Sequence, residues 1–213
     1  MFTDPAKATE FIPKPKEFMD NVFLAGSISP NTLAHPDIFS HFTTDELIGL
    51  GISRNNKLYF SFGISAEEGE YVSSIAKPLI EDIVAKADEA VKPESGRAAD
   101  LRFGHDVGLL PLIGTIGIAG MEERWKSLDV HRHWFDFEMM PMASNLQMIF
   151  FRNRKGDVLV KPVYNDKETY IPAVQTYNGV FHKWNDLREY LVKTAAAISD
   201  EHIVKDNDGK ERT

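Results

Sequence analysis

The 213-residue sequence contains no cysteine. That excludes disulfides and thiolate metal sites and leaves the redox compartment open. It also lacks a long apolar run. The longest uncharged stretch, Val107 to Met121, holds Pro111 and four glycines and is too short to span a bilayer, so no membrane is expected as a partner. The first residues, MFTDPAKATEF, lack a basic segment followed by an apolar one, so no signal peptide is expected there. Positive charge is in deficit: 24 Lys and Arg against 32 Asp and Glu leave a net charge of −8. A general nucleic-acid binder would carry a basic field, so nucleic acid is not an expected partner. An anionic small molecule remains open, because a pocket can be locally basic. No internal repeat and no low-complexity tract occurs. What is present is a hydrophobic content of 43%, enough for a core, in a length that suits one ordinary domain or two small ones.

The first forty residues are proline-rich and without a clean period. Phe11 to Phe18, with Pro13 and Pro15, reads as extended or turn structure. Asp20 to Ala25 reads as a short helix, and Asn31 to Phe42 as another, interrupted by Pro36. Thr43-Thr44-Asp45-Glu46 signals a helix start, a hydroxyl cap with acids in the first turn. The helix expected from it runs from Asp45 to Leu50 and stops near Gly51. Lys57 to Gly63 reads as a strand or a helix edge. Ile75 to Val91 is the clearest helix, with Ile75, Leu79, Ile80, Ile83, Val84, Ala87 and Val91 on one stripe and Pro78 placed in the first turn. Met121 to Met142 is irregular and aromatic. Asn145 to Arg152 and Val158 to Tyr164 read as a hairpin turning at Gly156, with Pro162 placing the second strand at a sheet edge. Asp166 to Tyr177 is loop, and Trp184 to Ile198 is a helix. Residues 200–213 are expected to fray.

The stretch that organises the rest is Ala98 to Ala119. Ala99 to Phe103 reads as a buried strand, Gly104-His105-Asp106 as a turn, and Val107 to Ile118 as a packed helix. In α/β folds the carboxyl end of a strand is where reactive groups are presented. Gly104 gives the backbone freedom to bend or to approach a ligand. The amides that open the following helix favour an anion, so His105 and Asp106 are placed to meet one. On a chemical reading His105 donates hydrogen bonds to an anionic group and Asp106 protonates a leaving oxygen. On a structural reading His105 is a satisfied core histidine and Asp106 a helix cap.

LRFGHDVGLLPL resembles the second signature of the histidine acid phosphatases, in the branch that includes phytases and multiple inositol-polyphosphate phosphatases. AKPLIEDIVAKADEA followed by ADLRFGHD is similar to the helix and strand that lead into that signature. PMASNLQMIFFRNRKGDVLVKPVYND is similar to the strand pair that follows it, especially in bacterial members, and KWNDLREYL to the last helix. The resemblance runs from about Phe39 to about Leu191. It implies an α/β fold, part of the phosphoglycerate mutase-like histidine phosphatase fold. Residues 72–199 would form the C-terminal part of its three-layer sheet-and-helix domain, residues 1–71 part of its helical cap, and 200–213 a tail. It implies hydrolysis of phosphomonoesters, inositol phosphates or similar, through a phosphohistidine and without a cofactor. Asp106 would be the proton donor, His105 a contact to the phosphoryl group, and Arg102 a further substrate contact.

The family's nucleophile lies in an Arg-His-Gly motif, and this sequence contains none. The nearest string, His131-Arg132-His133-Trp134, lacks the glycine and follows the His-Asp pair instead of preceding it. The chain therefore reads as the C-terminal half of such an enzyme, incomplete alone. Its expected partners are a phosphorylated small molecule and a complementary half or a second copy, since an uncovered apolar sheet edge is a liability. The alternative is a truncated relative without catalysis. Family members are commonly exported, so a periplasmic or secreted location is the resemblance's implication. Other candidates carry less. His131 and His133 could share a strand face as metal ligands, but no third ligand has a recognisable spacing. Gly114, Gly117 and Gly120 follow a helix and do not open one, so the nucleotide fingerprint fails. Asp206-Asn207-Asp208-Gly209 begins like a calcium loop without its closing Glu. Arg152, Arg154 and Lys155 form a basic hairpin tip. Tyr59, Phe60 and Phe62 read as core or interface packing.

Overall fold

The computed structural model describes residue 7, residues 10–126 and residues 128–200. The chain divides into two compact units, Met1–Asn56 and Lys57–Thr213. The tail expected at 200–213 and the calcium-loop string lie outside the described residues, apart from Asp200.

In the first unit, helix α1 spans Pro15–Ile28, where extended structure was expected up to Phe18. Pro15 explains the difference. At the first position of a helix its missing amide is one that has no intrahelical partner anyway, so proline starts this helix and does not block it. Asn31 to Phe42 is not a helix; it holds only single 3₁₀ turns at Ser29–Asn31 and Phe39–His41. Phe39 packs on Phe23 and Phe42, with ring centroids 5.5 and 6.5 Å away, and lies over the buried Gly26. Helix α2 spans Thr44–Phe62. Its start follows the expected signal: the Thr43 amide donates to Glu46 Oε2 at 2.8 Å, and the Glu46 amide donates to Thr43 Oγ1 at 3.3 Å. This reciprocal pair is a capping box. The amide donated by Thr43 holds the Glu46 carboxyl below its ordinary pKa. The helix does not stop at Gly51. Gly49 and Gly51 meet nothing within 4 Å, so they lower helical propensity without breaking the run. Beyond them Leu58, Tyr59 and Phe62 are held in or against the core of the second unit, and that burial outweighs the propensity deficit.

The second unit is mixed α/β. Helix α3 spans Gly69–Ala90, longer at its start than expected. Its buried stripe is Val72, Ala76, Ile80, Val84 and Ala87; Ile75 lies outside it, 41% exposed. Pro78 therefore sits in the helix interior and not in a first turn, on the exposed side, where the Ser74 carbonyl loses its helical donor. Helix α4 spans Asp106–Thr115, and the short helix α5 spans Asp136–Met139. Strands β1, Leu146–Arg152, and β2, Val158–Tyr164, form the expected antiparallel hairpin, in register from Leu146↔Tyr164 to Arg152↔Val158. Gly156 makes the turn at φ 92°. On the other side of β2 lie β3, Lys167–Glu168, and β4, His182–Lys183, both antiparallel. So β2 is central, and the expectation that Pro162 marks an edge strand fails. The Pro162 carbonyl accepts from the Thr169 amide. Carbonyl and nitrogen of one strand residue face the same neighbour, so the missing N–H points to this interrupted side and the β1–β2 ladder loses no rung. Helix α6 spans Trp184–Ala197.

The core joins α3 to Leu110, Leu112 and Ile113 of α4, to Val160 of β2, to Trp184, Leu187 and Leu191 of α6, and to Val130, Trp134 and Ile171 from loops. Polar ties support it. Asp88 of α3 accepts from Trp184 Nε1 at 3.2 Å and from Arg188 Nε at 2.7 and 2.8 Å. Tyr59 Oη donates to the Glu123 carbonyl and accepts from the Trp125 amide, both at 3.1 Å, and burial raises the pKa of this phenol. Among the described residues no helix is long and apolar enough to cross a membrane.

Candidate functional site

From residue 95 to residue 105 the chain runs without helix, strand, turn or bend. The buried strand expected at Ala99 to Phe103 is therefore not formed. No strand lies beside the stretch, and from 98 to 104 no backbone amide or carbonyl has a hydrogen-bond partner among the described residues. Leu101 is 76% exposed and Phe103 93%. A strand is stabilised by its neighbours, and among the described residues this stretch has none. Gly104 makes no turn: its φ is not positive, and a Cβ there would meet nothing within 4 Å.

The stretch is nonetheless held in place. Arg97 Nη2 lies 3.3 Å from Glu89 Oε2, and Arg97 Nη1 lies 3.0 Å from Asp100 Oδ2. Arg102 Nη1 lies 2.7 Å from Asp100 Oδ1, and Arg102 Nη2 lies 2.6 Å from Asp82 Oδ2. Asp82 and Glu89 both belong to α3, so the stretch runs back along that helix, stitched by two arginines with Asp100 bridging them. Single exposed ion pairs contribute little; here four of them share five side chains in one bridged network. This ladder was missed in the sequence. Its signal is the alternation Asp100, Leu101, Arg102, Phe103, which on an extended chain separates charged from apolar side chains. Arg102, expected as a substrate contact, is occupied by these two carboxylates.

His105 ends the stretch in an extended conformation (φ −117°, ψ 167°) as the residue that caps α4. Its carbonyl accepts from the Gly108 and Leu109 amides at 3.0 and 3.2 Å. Asp106 opens the helix, and its Oδ1 accepts from the Val107 amide at 2.9 Å. Both side chains are exposed. An ionised Asp106 thus already supplies the negative charge that this helix end favours, and an incoming anion meets it as a competitor. An open hollow of about 550 Å³ is lined by Glu89, Lys92, Glu94, Ser95, Gly96 and Arg97, and neither His105 nor Asp106 is in its wall.

The remaining candidates are scattered. His131 follows Val130 in a 3₁₀ turn with its Nδ1 buried and without a partner among the described residues, while His133 stacks on Trp125 at 3.8 Å. Among the described residues no three His, Asp or Glu side chains gather as a metal would need. Gly114 is a packing position: a Cβ there would lie 3.0 Å from Ile64 Cγ2. Arg152 donates to the Val91 carbonyl at 3.0 Å, tying the hairpin to the end of α3, and Arg154 and Lys155 are exposed. Tyr59 is core and Phe62 packs against it, but Phe60 is exposed.

His182 drew no attention in the sequence, yet it is fully buried. Its Nε2 accepts from the Ile171 amide at 3.0 Å, so its Nδ1 carries the proton and donates to the Gln175 carbonyl at 3.1 Å. Burial pushes its pKa below the ordinary 6.5. Both nitrogens are committed to backbone, so this imidazole holds the 171–175 loop and has no free face for chemistry.

No model of a known protein family matches the chain, and no curated protein matches it either.

Proposed function

We propose that this chain carries the His-Asp portion of a phosphomonoesterase site of the histidine acid phosphatase kind, within part of a phosphoglycerate mutase-like fold. The substrate class is phosphorylated small molecules, inositol phosphates among them. One observation carries the reading: His105 and Asp106 stand exposed side by side where an unpaired extended stretch enters α4. A stretch without strand partners among the described residues fits a fold in which the strands that would flank it belong to another segment.

In this reading His105 donates to a phosphoryl oxygen, and protonated Asp106 gives its proton to the leaving alkoxide as the P–O bond breaks. The attacking imidazole comes from a complementary half, forms the N–P bond, and is freed when water takes the phosphoryl group. A step in which a carboxylic acid gives up its proton is favoured by acidic conditions. Arg102 has no part in this scheme while Asp82 and Asp100 hold it. A second reading, a relative without catalysis, draws on the place of Asp106 in the first turn of α4, where an acid complements a helix start whatever its chemistry.

The test is an NMR titration of the whole chain with inorganic phosphate at acidic and neutral pH, with chloride as the ionic-strength control. The half-site reading expects the His105 imidazole resonances to shift while those of buried His182 stay, and Asp106→Asn to alter the pH dependence of that shift. No phosphate-specific shift at either pH overturns it in favour of the second reading. Activity of the chain alone on p-nitrophenyl phosphate that survives in Asp106→Asn also overturns it.

A further inference from the structure

The stretch from Ala98 to Gly104 has a second property, independent of what His105 binds. It is a chain segment without helix, strand, turn or bend, and among the described residues its backbone amides and carbonyls have no hydrogen-bond partner. Its charged side chains, Asp100 and Arg102, are engaged with each other and with α3. Its apolar side chains, Leu101 and Phe103, are exposed. The ion-pair ladder holds the stretch along α3, which lowers the ordering that pairing requires. Strand addition to such an edge gains a ladder of main-chain hydrogen bonds.

We infer that two copies of this chain pair antiparallel through Ala98–Gly104, about a two-fold axis at Leu101. The sequence of the stretch selects both the occupant and the register. Centred on Leu101, Asp100 of each copy lies opposite Arg102 of the other. Small Ala99 lies opposite large Phe103, and Ala98 opposite Gly104. The charge pair and the small-against-large pair each occur twice by symmetry, as an isologous interface requires. Opposed residues of an antiparallel pair share a sheet face, and directly opposed like charges are unfavourable. Centring on Asp100 sets two aspartates face to face, and centring on Arg102 sets two arginines face to face. Axes that pass between residues, 100/101 or 101/102, mix the charged and apolar faces. Only the Leu101 centre keeps charge opposite counter-charge. It also covers one backbone edge of the stretch in each copy, an edge that no described residue of the single chain pairs with.

The experiment is sedimentation velocity of the whole chain over a wide concentration range, with Asp100→Arg and Arg102→Asp run separately and then mixed. The wild type is expected to pass from monomer to dimer with concentration. Asp100→Arg alone sets arginine against arginine, Arg102→Asp alone sets aspartate against aspartate, and each is expected to weaken the dimer about tenfold or more. Mixed, the two variants face each other with opposite charges at both pairs, and a heterodimer is expected. Its recovery also shows that both variants fold. A wild type that stays monomeric throughout overturns the inference. So does a dimer untouched by either variant, or a mixture that stays monomeric. The phosphate titration described above reads a different group, so the two proposals can fail separately.

Discussion

Replacing His182 with phenylalanine keeps most of the ring volume and removes both hydrogen bonds. The Ile171 amide, on a fully buried residue, then has no acceptor. A buried donor left unpaired costs about 1–3 kcal/mol. The Gln175 carbonyl belongs to an exposed residue, where water can replace the lost donor, so it adds little. The expected loss is about 2 kcal/mol. For a chain of this size that corresponds to a fall in melting temperature of about 4–8 °C. Alanine in place of phenylalanine adds a cavity among Val160, Ile171 and the rest of the core, so it is expected to cost more.

The same residue gives the stability a pH dependence of known sign. In the folded chain Nε2 must stay unprotonated to accept from Ile171, and burial disfavours the charged ring, so the folded pKa lies below 6.5. The unfolded chain takes up this proton near the ordinary value. Between the two, the unfolded state binds more protons, and stability falls as pH falls. The contribution is therefore complete above about pH 6.5 and is lost progressively below it, at up to about 1.4 kcal/mol per pH unit. Urea unfolding at pH 7.5, 6.5 and 5.5, followed by far-UV circular dichroism, measures it. The slope assigned to His182 is the difference between wild type and His182→Phe, because every other titrating group is common to both. Identical midpoints for the two proteins at pH 7.5, or identical pH slopes, would refute the buried neutral imidazole.

Four other substitutions test the packing and its polar ties. Tyr59→Phe removes the hydroxyl shared by Glu123 and Trp125 and is expected to cost about 1–2 kcal/mol, read in chemical denaturation and in altered tryptophan fluorescence from the neighbouring Trp125 and Trp134. Gly26→Ala places a Cβ 2.4 Å from the Phe39 ring; hydrogen exchange is expected to rise in α1 and around Phe39, while α3 and α6 keep their protection. Asp88→Ala cuts the link from α3 to Trp184 and Arg188 and is expected to lower the urea midpoint by the equivalent of about 1–2 kcal/mol, whereas Asp82→Ala, at an exposed pair, is expected to change it by no more than about 0.5 kcal/mol.

How far the sequence foretold this fold follows one physical line. Elements that carry their own signal were legible: the capping box at Thr43 and Glu46, the hairpin with Gly156 at its turn, and the periodic helices α3 and α6. Elements decided by context were not. Gly51 looked like a stop because burial of Leu58 and Tyr59 further along is invisible locally. Pro162 looked like an edge because the gap between β3 and β4 depends on a loop that His182 holds. Ala99 to Phe103 looked buried because alternating apolar residues say nothing about whether a neighbour strand is present. At the site, the adjacency of His105 and Asp106 was legible, while the capture of Arg102 by Asp82 required the chain to fold back along α3.

That separation bears on how the site can be tested. Every large buried side chain of the second unit lies outside the stretch from Ala98 to Asp106. The stretch touches the rest through side-chain ion pairs of the kind that contribute little to stability. Substitutions at His105, Asp106 or Leu101 therefore remove chemistry or pairing without removing core. A loss of phosphate binding or of dimer in such variants, with an unchanged unfolding midpoint, reads directly on the site. A midpoint that falls by several kcal/mol in His105→Ala would mean that the stretch is packed against something, and that the open strand on which both proposals rest is closed in solution.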